Sequence, residues 1–267
     1  MMERLQKIDR RVIFAGLMLM IAIPLVKPLQ LPVNISSETR AAYDLIEALP
    51  SGSNVLIATS IFPSTQAELE PQTIAMLNHL VKKQAKIVMA PCYPDTPPYL
   101  LKYAKMLEDA GYVEGIDYLN LPYLAGEETL YAAMGSDFKK TYDQTPSSEL
   151  WDSISGVKSF SLVIVPNGGR HPLYVMAHIS TPHAIDMIAS ITAVVLPNVQ
   201  PYFNSGQIGG VVSGMNGAAE YESLVQVPGK ALQGMDAQSL GHLWIIALVV
   251  LGNIGYFATR GKKAGGV

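Results

Sequence analysis

The chain has one cysteine, Cys92, among its 267 residues. A single thiol cannot close an internal disulfide, so the fold must rest on its core. Charge is also scarce: Asp, Glu, Lys and Arg together make up only 15%, well below the usual share for a soluble protein. Complete catalytic signatures are missing. No H-E-x-x-H occurs, which removes that zinc-protease pattern, and no G-x-x-x-x-G-K-[ST] occurs, which removes a Walker phosphate loop. Nothing in the sequence calls for a cofactor.

The apolar residues that dilute the charge gather near both ends. Val12 to Val26 carries no charge and follows Arg4, Lys7, Arg10 and Arg11. Leu240 to Ala258 is equally free of fixed charge, with Trp244 and Tyr256 near its ends, and precedes Arg260, Lys262 and Lys263. A spanning helix needs about 20 apolar residues, with a lower bound near 17. The C-terminal segment, 240–258, meets this. The N-terminal one, 12–30, fits a short transmembrane helix or signal anchor, with Arg11 and Lys27 snorkelling. Basic residues on the outer sides of both segments place both termini in the cytoplasm and the middle of the chain outside. Residues 37–240 hold 11 Lys+Arg against 20 Asp+Glu. An acidic body of this kind argues against nucleic acid as a partner. The basic tails, 1–11 and 259–267, suit an anionic leaflet. The lipid bilayer is thus an expected partner.

Between the anchors, residues 37–225 alternate in period. SETRAAYDLIEAL (37–49) reads as a helix capped at Ser37, VLIATSIF (55–62) as a buried strand, and 67–83 as a helix. The alternation continues with a strand at 85–91, a helix at 97–112, a short strand at 117–123, a helix at 127–142 and a strand at 159–167. Strand–helix alternation with continuously apolar strands predicts an α/β fold: a mostly parallel sheet flanked by helices, Rossmann-like, with helices spanning the membrane at both ends. PLYVMAHI (172–179) reads as a further strand, joined to the previous one through PNGGR as an antiparallel hairpin, and 182–196 as a helix. Residues 226–239 read as a linker into the last membrane helix.

The stretch GQIGGVVSGMNGAAEYESL (206–224) is glycine-dense. It lacks the G-x-G-x-x-G spacing of a dinucleotide turn. On a helix, Ile208, Val211, Val212, Met215 and Ala219 share one face, while Gly206, Gly210, Gly214 and Gly217 gather on the other. That bare face suits close backbone packing on the sheet or on a partner's helix. The alternatives are a flexible glycine loop or a phosphate loop. This wording, between terminal membrane segments, resembles a group of uncharacterised bacterial membrane-anchored proteins with an extracytoplasmic α/β domain. The resemblance is concentrated in residues 202–224 and implies architecture only. The α/β middle is also loosely similar to extracytoplasmic domains of accessory proteins attached to transport machines, an analogy of fold rather than of motif.

Other residues suggest chemistry. Cys92 follows a buried strand, where ligand crevices of open sheets lie, and a nucleophilic thiol would need a base such as His171, His178 or His183. His178, His183 and Asp186 offer imidazole and carboxylate ligands for a metal, in no established zinc spacing. Gly168, Gly169 and Arg170 could hold an anion in a backbone nest after the strongest strand. Glu220 and Glu222, two apart on a helix, point away from each other and do not make an acid pair. The expectation is a non-catalytic, membrane-anchored structural or accessory subunit of a larger membrane complex, with other membrane proteins or a second copy as partners. The alternatives are a binding protein for a small ligand or anion at the strand ends, and a thiol or metal hydrolase.

Overall fold

The computed structural model describes residues 9–29 and 31–263, with side chains as far as Phe257. Most of the two expected basic tails lies outside these residues. The chain divides into a large unit, Val33–Ala231, and a second made of the segments that flank it, Met1–Pro32 and Leu232–Val267.

The large unit is a six-stranded sheet, parallel throughout. Its strands are β1 (Asn54–Thr59), β2 (Lys86–Pro91), β3 (Tyr118–Asn120), β4 (Leu162–Asn167), β5 (Asp186–Ile191) and β6 (Gly210–Ser213), in the spatial order 3-2-1-4-5-6. In chain order the helices are α1 (Arg10–Val26), α2 (Ser37–Glu47), α3 (Gln66–Lys82), α4 (Pro97–Asp109), α5 (Glu127–Ser136), α6 (Phe138–Thr141), α7 (Glu149–Ser153), α8 (His171–Val175), α9 (Leu196–Asn204), α10 (Gly214–Val225) and α11 (Lys230–Lys263). Helix α8 continues through a wider turn, Met176–Ser180, to Thr181–His183.

Alternation along each strand fills both faces. Leu56 and Val163, paired in register, look toward Tyr131 of α5 and Val175 of α8. Ile57 and Ile164, the next pair, look toward Leu69, Met76 and Leu77 of α3 and Leu107 of α4. Two-sided burial explains why these strands are apolar without a break. One polar stitch crosses the second face. The buried Gln72 amide donates to the carbonyls of Ile191 (3.0 Å) and Gly214 (2.9 Å) and accepts from Ser190 Oγ (2.6 Å), so every member of this dry network is satisfied.

Four expectations are corrected. Residues 172–179 are helical, with Pro172 in the first turn of α8, so PNGGR leads into a helix and no antiparallel edge forms. Residues 186–191 are strand rather than helix, paired with β4 along their whole length. A short apolar run reads alike as buried helix or buried strand, and here the vacant sheet edge decides. The glycine stretch is not one helix: it supplies β6 and then α10. Gly210 lies on β6 against the backbone of Ala42 in α2, Gly217 packs on Val212, and Gly206 has nothing within 4 Å of a built Cβ. Gly214 has φ +64° at the strand-to-helix turn, a conformation open to glycine at no steric cost. The expected shared glycine face therefore does not exist. The linker shrinks to 226–229, because α11 starts at Lys230. Its start is anchored by the buried Glu222, which accepts from the amides of Gly229 (3.0 Å) and Ala231 (3.1 Å). A smaller shift concerns α2, whose capping hydroxyl is that of Ser36 rather than Ser37.

In the second unit, α1 ends at Val26 after 17 residues and contains Pro24. Among the described residues, α11 is the one helix long and apolar enough to cross a membrane, over Lys230–Phe257. Within this unit Trp244 Nε1 donates to the carbonyl of Ile13 (3.2 Å), and Asp236 accepts from the amides of Leu29 (2.8 Å) and Leu31 (3.1 Å).

Candidate binding site at the carboxyl edge of the sheet

The strand order reverses between β1 and β4. The loops that leave their carboxyl ends run in opposite directions, and ligands of open α/β sheets bind at such a switch point. On the α5 side, three buried polar groups meet there. His171 Nδ1 lies 3.0 Å from Ser60 Oγ and 2.8 Å from the Tyr131 hydroxyl. Ser60 follows β1 directly, His171 opens α8, and Tyr131 comes from the middle of α5. Burial holds the His171 imidazole below its ordinary pKa, opposed by the charge of Glu127. Both hydroxyls converge on one ring nitrogen, and among the described residues no carboxylate hydrogen-bonds the ring. The arrangement offers a neutral imidazole and two hydroxyls as hydrogen-bonding groups.

Cys92 sits beneath the same cluster, buried, with its thiol 3.4 Å from the carbonyl of Ala90. Burial pushes the thiol up to about 12. Burial of this kind disfavours the thiolate that a nucleophilic role would need. In native protein at pH 7.5, Cys92 is expected to resist a maleimide over hours and to react fully once denatured; prompt native labelling would contradict its burial.

On the α3 side, Gly168 is crowded. A Cβ built there would stand 2.5 Å from Thr65 Cγ2 and 3.5 Å from Thr192 Cγ2, so only a bare backbone lets the three loops meet. The hydroxyls of Thr59 and Thr192 are buried near this edge without a hydrogen-bond partner among the described residues. Gly169 donates to Asn167 Oδ1 (2.5 Å). Gly169 and Arg170 line a cavity of about 280 Å³ together with Leu173, Asn198 and Tyr202. The exposed Arg170 has no carboxylate within ion-pair distance among the described residues. Of the sequence-expected anion site, Gly169 and Arg170 thus face a common space, and Gly168 shapes the turn behind them.

The three expected metal ligands do not converge. His178 pairs with Glu128 (3.1 Å), His183 Nε2 lies 2.9 Å from the carbonyl of Gly135, and Asp186 is exposed at the amino end of β5. No group of three His, Cys, Asp or Glu among the described residues could hold a metal ion. Sequence reasoning missed Ser60 and Tyr131, whose partner His171 lies 111 and 40 residues away. The one local signal was a serine at the end of the first apolar strand.

A second buried imidazole, His79, lies 2.9 Å from the Tyr221 hydroxyl and 2.8 Å from Glu47. Burial lowers its pKa too, against the raising effect of Glu47. Both histidines are held neutral while the unfolded chain titrates near 6.5. Their contribution to stability is full above about pH 6.5 and is lost as the pH falls through the lowered folded values. The urea midpoint is expected to fall between pH 7 and pH 5, above the carboxylate range; a flat or rising midpoint would contradict both shifts.

No protein-family model matches the chain, and no curated protein does. Among solved structures it is similar to the C-terminal domain of a group 1 family glycosyl transferase (LpcC) from Francisella tularensis. The identity is 13%, the TM-score 0.36, and the match covers 80% of this chain and 94% of the other.

Proposed function

We propose that the protein is a membrane-anchored, non-catalytic subunit of a larger membrane assembly, with its α/β unit outside the cytoplasm and both termini inside. The observation that carries this reading is the apolar surface left in the open by the flanking helices. Val12, Phe14, Met18 and Leu19 of α1 and Leu243, Ile246, Val249 and Phe257 of α11 are all more than half exposed. Runs of this size on a soluble surface mark a membrane or a protein partner. On this reading α1 crosses as a short second span. Gentle detergent extraction, a native gel and mass spectrometry of the band test it: fixed companions support a subunit, and migration alone as a monomer removes the reading.

A second reading has its own observation, the cavity that Gly169 and Arg170 line beyond the strand ends. It treats the α/β unit as a binder of a small anion. Phosphate is expected to raise the melting temperature of the native protein, and Arg170→Ala to abolish that rise. An unchanged rise in the variant would remove Arg170 from the account.

A further inference from the structure

A different cavity, of about 400 Å³, lies where β6 gives way to α10 and borders the first turn of α2. Its polar wall comes from Ser36, Glu38, Ser213, Asn216 and Glu220, so the glycine-dense stretch lines it directly. Ala193, Leu196 and Val211 form the apolar wall. The volume falls in the range of small organic ligands and exceeds what a bare ion fills.

Glu220 is 2% exposed. Its Oε2 accepts from the Ser36 amide (3.0 Å) and hydroxyl (2.5 Å), and its Oε1 from Asn216 Nδ2 (2.5 Å). Glu38, on the same cavity, accepts from Ser37 Oγ (2.8 Å) and Gln200 Nε2 (2.9 Å), which hold its carboxyl below its ordinary pKa. Neither carboxylate has a Lys, Arg or His partner among the described residues. The amino end of α2 supplies a partial charge of about +0.5. Glu38 is half-buried and Glu220 buried, and a buried carboxylate is normally paired.

We propose that this cavity binds a small alkylammonium compound: the ammonium group meets Glu220 and Glu38, and a short alkyl chain lies along Leu196 and Val211. The site is separate from the Arg170 cavity and independent of the subunit reading. Calorimetry on the full chain in detergent tests it, with 1-butylammonium as probe and 1-butanol and butyrate as size-matched controls. Saturable binding of butylammonium is expected, with neither control binding. Glu220→Gln is expected to weaken binding at least tenfold. Ser213→Leu, which fills the cavity and leaves both carboxylates in place, is expected to abolish it, with unchanged near-ultraviolet circular dichroism as the check on folding. Absence of saturable binding, equal binding of butanol, or wild-type affinity in both variants would overturn the proposal.

Discussion

Val249→Arg is expected to stop α11 from holding in the bilayer. An arginine at the centre of a span costs about 2.5–3.5 kcal/mol where valine is slightly favourable, roughly a hundredfold or more in the insertion equilibrium. Val249 lies well inside the apolar run of α11 and is 56% exposed in the protein, so the added charge finds no protein partner there. With a glycosylation acceptor placed after Val267, the wild-type tail is expected to stay unmodified in microsomes, because in the proposed orientation α11 halts and leaves it in the cytoplasm. In the variant the tail follows the body across and is modified. Modification of the wild-type tail would reverse the proposed orientation, and an unmodified tail in the variant would show that α11 is not the stop. Met18→Arg puts the same question to α1, which at 17 residues with an internal Pro24 sits at the lower limit for a span.

Gly210→Val is expected to be the most destabilising single change in the glycine-dense stretch. A Cβ at Gly210 would run into the backbone of Ala42. Backbone cannot rotate aside as a flexible side chain can, so α2 or β6 must shift. Overpacking of this kind costs about 1–3 kcal/mol, and here the upper end applies because both partners are fully buried. Gly156→Ala is the matched control, since nothing lies within 4 Å of its built Cβ and its backbone is extended. The control should stay within about 0.5 kcal/mol of wild type. The urea midpoint, read at constant slope, separates the two outcomes, and equal midpoints would mean that α2 does not rest on Gly210.

Close packing was the right reason for some of these glycines, but the geometry was different. The sequence suggested a bare helical face spaced four residues apart. Of its four members, Gly210, Gly214 and Gly217 do meet a close neighbour, the first in a strand and the other two in a helix, while Gly206 meets none. Periodicity over so short a stretch could not show that the chain changes from strand to helix at Gly214, because that change depends on a positive φ at one residue.

The sequence alone determined the class of this protein: an α/β body between apolar segments at either end. Runs such as VLIA and LVIVP are apolar at every position, which only two-sided burial tolerates, and the helices between them carry their own stripes. Tertiary structure decided the rest. Residues 172–179 and 186–191 exchanged their expected states because their short apolar runs fit either form, and the free edge of β4 took the second. It also assembled Ser60, Tyr131 and His171 at one edge, and set Ser36 on Glu220 across 184 residues. Such contacts depend on strand order and helix placement. Those follow from burying two faces of one sheet at once, and no local pattern in the sequence records that choice.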